Sequence, residues 1–214
     1  MSSKYPEIYA IWDLDGTLLD TEGISTTVME IVLEKIIPGQ SKISTDLRKT
    51  FYGLPTYEWV RLLLKGMNCE HLISVEDYAE QYEELMLQMS LDSPYMPGAL
   101  RITEFLRKNG VKQAVATSSR RDLLNGKASH HPELFEKFEV LVSTSDEGVV
   151  HGKPAPDIFL KAAELLSAPP NQCIVFEDSV SGMQAGLSAG MRVIAIPGND
   201  IDISNLHGLT QIHI

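Results

Sequence analysis

The chain has only two cysteines, Cys69 and Cys173, set in unrelated segments without metal-ligand spacing. That argues against a disulfide framework or a thiolate metal site, and two free thiols are expected. No apolar run approaches the roughly 18 residues that a membrane span needs. The first residues, Met1-Ser2-Ser3-Lys4-Tyr5-Pro6, carry none of the apolar core of a signal peptide. A soluble, cytoplasmic protein without a membrane partner is expected. Positive charge is scarce: 18 Lys and Arg stand against 29 Asp and Glu, a formal net charge of −11 that argues against nucleic acid as a partner. Internal repeats and low-complexity tracts are absent. What is present is 214 residues, 43% hydrophobic, enough for one sizeable core or a core with a small accessory domain.

Strand-like and helical patterns divide the chain unevenly. The apolar run Ile8 to Trp12 predicts a first strand, after which about Glu22 to Leu91 reads as helix only. Ile24, Val28, Ile31, Val32 and Ile36 form one helical stripe. Val75, Tyr78, Ala79, Tyr82, Leu85, Met86 and Met89 form another, and Trp59, Leu62 and Leu63 mark a helix between them after the break at Gly53-Leu54-Pro55. From Pro97 onward helices and strands alternate, the signature of a parallel sheet. Strands are predicted at Gln113 to Thr117, Phe138 to Val142, Cys173 to Phe176, Val193 to Ile196 and, briefly, Thr210 to Ile214. Helices are predicted at Ala99 to Lys108, Asp157 to Leu166 and Gly182 to Ala189. The fold class is α/β: an open parallel sheet of Rossmann type in residues 1–20 and 95–214, with a helical domain, 21–94, inserted after the first strand. An insertion at a strand's carboxyl end is placed to act as a lid over a site there.

The chemistry-bearing residues follow the strands. Asp13-Leu14-Asp15-Gly16-Thr17 places two carboxylates one residue apart at the end of the first strand, where open α/β sheets carry their sites. Unpaired carboxylates are costly to desolvate, so the pair calls for a cation, unless it is merely a solvated turn. Thr117-Ser118-Ser119-Arg120 offers hydroxyls and amides at a helix start, either an anion site or plain N-caps. Lys153 lies in a loop that Pro154 and Pro156 stiffen. Glu177-Asp178-Ser179 repeats the acidic theme after a later strand. Each has an ordinary structural use, yet all four fall where strands of one sheet converge. Four carboxylates, Asp13, Asp15, Glu177 and Asp178, are hard oxygen donors of the kind Mg²⁺ prefers, while Thr117 and Lys153 supply what a phosphoryl group in transit needs.

In order and type, Asp13-x-Asp15-Gly-Thr, Thr117, Lys153 and Glu177-Asp178 resemble the four motifs of the haloacid dehalogenase superfamily over nearly the whole chain, and the insertion resembles its helical cap. Met96-Pro97-Gly98-Ala99, Ala116 to Arg120, His151 to Leu160 and Val175 to Asp178 are similar to the pseudouridine-5′-phosphatase group. The resemblance implies a Mg²⁺-dependent phosphatase of small phosphorylated metabolites, such as pseudouridine 5′-phosphate or a related nucleotide or sugar phosphate. Asp13 would be the nucleophile that becomes an aspartyl-phosphate, and Asp15 the general acid and base. Mg²⁺ would sit on Asp13, the Asp15 backbone carbonyl and Asp178, with Glu177 a ligand or just behind one. Thr117, the Ser118 amide and Lys153 would hold the transferring oxygens, with Gly16, Ser119 and Arg120 also on the substrate. Tyr52, Leu54, Thr56 and Trp59 are candidates for substrate selection from the cap, Tyr52 and Thr56 foremost. A monomer is expected.

Two other readings compete. Mutases related to β-phosphoglucomutase carry a histidine in the first cap helix, where Ser25 stands here, and basic residues around a cap glycine, where this chain reads Tyr52-Gly53-Leu54-Pro55-Thr56. An inactive relative kept as a binding module would lack the nucleophile or the acidic pair, and this chain has both. His130, His131 and His151 lie near the site's loops, with surface or packing roles expected.

Overall fold

The computed structural model describes residues 7–51, 54, 56–196 and 212–213. The chain divides into two compact units, Met1–Asp20 with Pro94–Ile214, and Thr21–Ser93. The first unit is built on six parallel strands, β1 (Tyr9–Trp12), β2 (Lys112–Thr117), β3 (Val140–Ser143), β4 (Cys173–Glu177), β5 (Arg192–Ala195) and β6 (Ile212–His213). Their order is β3-β2-β1-β4-β5-β6, every neighbour parallel. Strand β3 starts later than its apolar pattern predicts. Phe138 closes a turn onto the Phe135 carbonyl at 3.2 Å, so pairing begins only beyond it. Of the predicted last strand, Ile212 and His213 are paired with β5; its remaining positions lie outside the described residues.

The second unit is helical: α1 (Thr21–Ile36), α2 (Thr45–Lys49), α3 (Thr56–Gly66) and α4 (Val75–Met89). Met29, Val32 and Leu33 from α1 meet Trp59, Val60, Leu63 and Leu64 from α3 and Tyr78 and Ala79 from α4 in one core. The Trp59 ring is buried among Phe51, Tyr78 and Tyr82, with centroids 6.0, 6.1 and 4.8 Å away. Trp59 is thus a packing residue of this core. The Tyr78 hydroxyl donates to the Met29 carbonyl at 2.9 Å and satisfies its buried polar end. Helix α2 has no buried residue, which is why no apolar stripe announced it.

Five helices flank the sheet: α5 (Ala99–Lys108), α6 (Arg121–His130), α7 (Pro132–Phe135), α8 (Asp157–Leu166) and α9 (Val180–Ser188). Side chains alternate along a strand, so Tyr9 and Ile11 join Ile158, Phe159, Ala162 and Met183 of α8 and α9 on one face. Ala10 and Trp12 join Ala99, Leu124, Leu134 and Phe135 on the other. All four β1 residues are buried, as a parallel strand covered on both faces requires. On the second face the Trp12 ring stacks on Phe176 of the neighbouring strand, centroids 3.8 Å apart, and its indole N–H donates to the Gln113 side chain at 3.0 Å. Gln113 in turn donates to the Thr103 carbonyl at 2.9 Å. Both cysteines are buried free thiols, and among the described residues no helix is long and apolar enough to cross a membrane.

Candidate active site

From β1 the sheet is extended on one side by β2 and β3 and on the other by β4 and β5, so the topology switches between β1 and β4. Crevices at such switch points, beyond the carboxyl ends of the strands, are where ligands bind in open α/β sheets. Asp13 leaves β1 at that crevice, and its backbone N–H donates to the Phe176 carbonyl at 3.0 Å, tying it to the strand that delivers Glu177 and Asp178. All three acids are buried, and one carboxylate oxygen from each lies within 4.8 Å of the others.

Lys153 is the cation among them. Its side chain is 5% exposed, and the ammonium pairs with Asp13 Oδ1 and with Glu177 Oε1 at 2.7 Å and stands 5.0 Å from the centroid of the Phe159 ring. The loop that carries it is pinned by Asp157, whose Oδ2 accepts from the amides of Val150 at 3.1 Å and His151 at 3.0 Å. Burial opposes the charge on Lys153, but Asp13 and Glu177 overcome that and raise its pKa above the ordinary lysine value. Burial, by contrast, pushes the Asp13 carboxyl well above the usual carboxylate range; Lys153 opposes this, while Glu177, Asp178 and Asp15 reinforce it. One ammonium does not balance this cluster. A further cation fits the hard oxygen donors facing one another here.

The two members of the second acidic pair are held differently. Glu177 spends one oxygen on Lys153 and the other on Ser179, accepting from its amide at 2.6 Å and its hydroxyl at 2.9 Å. Ser179 also caps α9 through the Gly182 amide at 3.1 Å. Asp178 accepts from the Thr17 hydroxyl at 2.9 Å. Glycine is required at two points around them. Gly16 has φ +86°, and a Cβ there would collide with the Asp178 carboxylate; a Cβ on Gly182 would collide with that of Glu177. Gly182→Ala gains about 1 kcal/mol of helix propensity, against about 1–3 kcal/mol for overpacking and a similar loss in the charged hydrogen bonds of Glu177. A net destabilisation of about 2 kcal/mol is expected, measurable by urea denaturation.

Asp15 does not join this cluster through its carboxylate. Its side chain, 29% exposed, accepts from the Ser119 hydroxyl at 2.8 Å and the Thr117 hydroxyl at 3.2 Å, and pairs with the Lys127 ammonium. Burial alone would raise its pKa, but Lys127, with help from Ser119 and Thr117, brings it below the ordinary carboxylate value. Crowding by other acids therefore does not govern Asp15. Lys127 was not anticipated. The signal was its place on α6: Leu124, Lys127, Ala128 and His131 recur at helical spacing, and a lysine occupies a position where the stripe calls for an apolar residue.

Other residues expected at the site are more scattered. Ser119 joins Asp15, and its carbonyl accepts from the Ser143 hydroxyl at 2.8 Å, a brace from β3 that the sequence did not reveal. Ser118 is exposed at the end of β2. Arg120 stands exposed before α6 with its guanidinium on Asp122, at 2.5 and 3.2 Å, rather than among the acids. Thr56 opens α3 in the helical unit, Leu54 is exposed, and Tyr52 lies outside the described residues. His131 packs edge-on against Tyr95 at 5.1 Å, and His151 is an exposed neighbour of Asp157 at 3.4 Å.

The family model for haloacid dehalogenase-like hydrolases matches residues 9–190. A Drosophila melanogaster protein named "Probable pseudouridine-5'-phosphatase" is 37% identical over 207 residues, covering 95% of this chain and 87% of that protein. The Arabidopsis thaliana "(DL)-glycerol-3-phosphatase 2" is 33% identical, with 95% and 85% covered. A haloacid dehalogenase family hydrolase from Deinococcus radiodurans, solved with bound phosphate and sodium, superposes with a TM-score of 0.79 at 26% identity, over 97% of this chain and 90% of that one. With the acids and the buried lysine gathered at the switch point of its parallel sheet, the chain belongs to the haloacid dehalogenase-like hydrolase family.

Proposed function

We propose that this hydrolase is a Mg²⁺-dependent phosphatase that releases phosphate from a small phosphorylated metabolite through a covalent intermediate on Asp13. The observation that carries the reading is the Asp13 carboxylate itself, paired with Lys153 and facing Glu177 and Asp178 in a buried crevice. Asp13 and Asp178 are the residues that would hold Mg²⁺, with the Asp15 backbone carbonyl. Glu177, both of whose oxygens are engaged by Lys153 and Ser179, orients the lysine and stays behind the ligands. When bound, the metal would supply charge neutralisation at the phosphoryl group and help orient it.

An Asp13 oxygen attacks phosphorus, the bond from phosphorus to the ester oxygen breaks, and the departing alkoxide takes a proton from Asp15. Water then attacks the aspartyl-phosphate and gives its proton back to Asp15, and Asp13 returns as a carboxylate with inorganic phosphate released. Lys153 stabilises the transferring oxygens throughout. Asp15 is held by Lys127 as an acceptor, the form that serves the second half of this cycle. Carrying a proton in the first half requires those contacts to loosen once substrate is bound.

Pseudouridine 5′-phosphate is the first substrate to test, supported by the 37% identical relative and by the motifs around Thr117, Lys153 and Glu177. Two buried thiols fit a reducing, cytoplasmic setting. Purified protein with Mg²⁺ is expected to hydrolyse p-nitrophenyl phosphate and to lose at least about 10²-fold in rate with excess EDTA. Ranking pseudouridine 5′-phosphate, other nucleoside monophosphates, glycerol phosphate and hexose phosphates by kcat/KM identifies the substrate class. Isomerisation of β-glucose 1-phosphate without phosphate release would replace this reading with a mutase. Inertness toward every ester would leave a binding protein.

A further inference from the structure

Lys127 is a lysine where the fold has no structural use for one. It occupies the buried stripe of α6, 2% exposed, beside Leu124. An apolar residue would complete that stripe, and burying an ammonium costs several kcal/mol unless its partner geometry is good. Its partner is Asp15 Oδ1, and it also reaches the Ser119 hydroxyl at 3.5 Å. Asp15 is the more exposed of the two, so the carboxylate faces the crevice and the ammonium stands behind it. Ser119 and Thr117 donate to the other oxygen, Oδ2, and the Thr117 oxygen accepts from the Ser119 amide at 3.0 Å. Both oxygens of Asp15 are therefore fixed by donors from β2, the loop after it and α6.

We propose that Lys127 is the positioning residue for Asp15, its buried ammonium and the Ser119 hydroxyl together holding the carboxylate in one orientation to accept the proton of the attacking water. This rests on Asp15 being the general acid and base. Lys127, 2% exposed, meets the site through Asp15 and Ser119. It acts only through Asp15, so its removal matters only while Asp15 is there to be positioned.

A double-mutant cycle tests this with Mg²⁺ present, using p-nitrophenyl phosphate and glycerol phosphate. Lys127→Met is expected to lower kcat about 10- to 100-fold, within the range of general acid–base catalysis, with KM falling alongside it, because the slowed step is hydrolysis of the aspartyl-phosphate after the ester bond has broken. The fall in kcat is expected to be similar for glycerol phosphate and the aryl ester, which share that step. Asp15→Asn with Lys127→Met is expected to be no slower than Asp15→Asn alone. Multiplying losses, or a rise in KM without a fall in kcat, would overturn the proposal. Full activity in Asp15→Asn would overturn the proton-transfer role itself, a separate and distinguishable failure. Circular dichroism reports folding, and if Lys127→Met does not fold, Ser119→Ala with and without Asp15→Asn completes an equivalent cycle: a smaller, non-multiplying loss supports the clamp, and a multiplying loss refutes it.

Discussion

Asp13→Asn is expected to lower kcat/KM for p-nitrophenyl phosphate by about 10⁴-fold or more, the scale seen when a nucleophile is lost, while raising the stability of the metal-free protein. Both effects have one origin. Burial and three neighbouring acids push the Asp13 carboxyl well above its ordinary pKa, so ionising it in the folded state is unfavourable. Its unfolded counterpart titrates near 3.9. Below that pH both states are protonated and the penalty is absent; as pH rises toward the folded pKa the native state binds more protons than the unfolded chain, and stability falls. Asparagine carries no such penalty. The variant should therefore match the wild type in melting temperature below about pH 4 and exceed it increasingly above. Activity surviving the substitution would remove Asp13 as nucleophile, and a lower melting temperature at neutral pH would show that Lys153, not the crowding acids, dominates its surroundings.

Lys153→Met is expected to lower activity with the opposite effect on stability. Removing one member of a buried ion pair leaves uncompensated charge and typically costs about 3–5 kcal/mol. Here the ammonium serves two buried carboxylates, Asp13 and Glu177, so the upper part of that range is expected. The fall in kcat is expected to be about 10²–10³-fold, as for loss of one preorganised electrostatic contact to the transition state. Chemical denaturation with and without Mg²⁺ separates the two consequences. Added metal should recover part of the stability by supplying charge to the same acids, and none of the rate. If the variant melts like the wild type, the charge balance assigned to this cluster is wrong.

The residues legible in the sequence share one property: each ends or follows an apolar run. Asp13, Thr117 and Glu177 could be placed because a parallel strand reads as an uninterrupted hydrophobic segment whose carboxyl end is conspicuous. Helix α5 was equally plain, since Ala99 to Lys108 closes on Asn109 and on Gly110 at φ +74°. What the sequence concealed lacks such a period. Helices α2 and α7 have five and four residues, too few for a stripe to recur. Ser143 and Thr17 act through side-chain hydrogen bonds to segments distant in the chain, and Asp157 through bonds to two amides of its own loop. Lys127 was visible only as an inconsistency, a charge on a buried face, and a lysine is usually dismissed as solvated. Arg120, beside the motif, pairs at the surface with a carboxylate two residues away.

Trp12 and Phe176 stand immediately before Asp13 and Glu177, and their rings lie face to face at the register where β1 and β4 pair. Backbone pairing fixes the separation of the two strands at about 4.8 Å, and the stack shields with apolar rings the strand ends from which Asp13 and Glu177 leave. Exchanging either ring for alanine would open a cavity directly behind those ends, at a cost of about 3–5 kcal/mol, without touching a carboxylate.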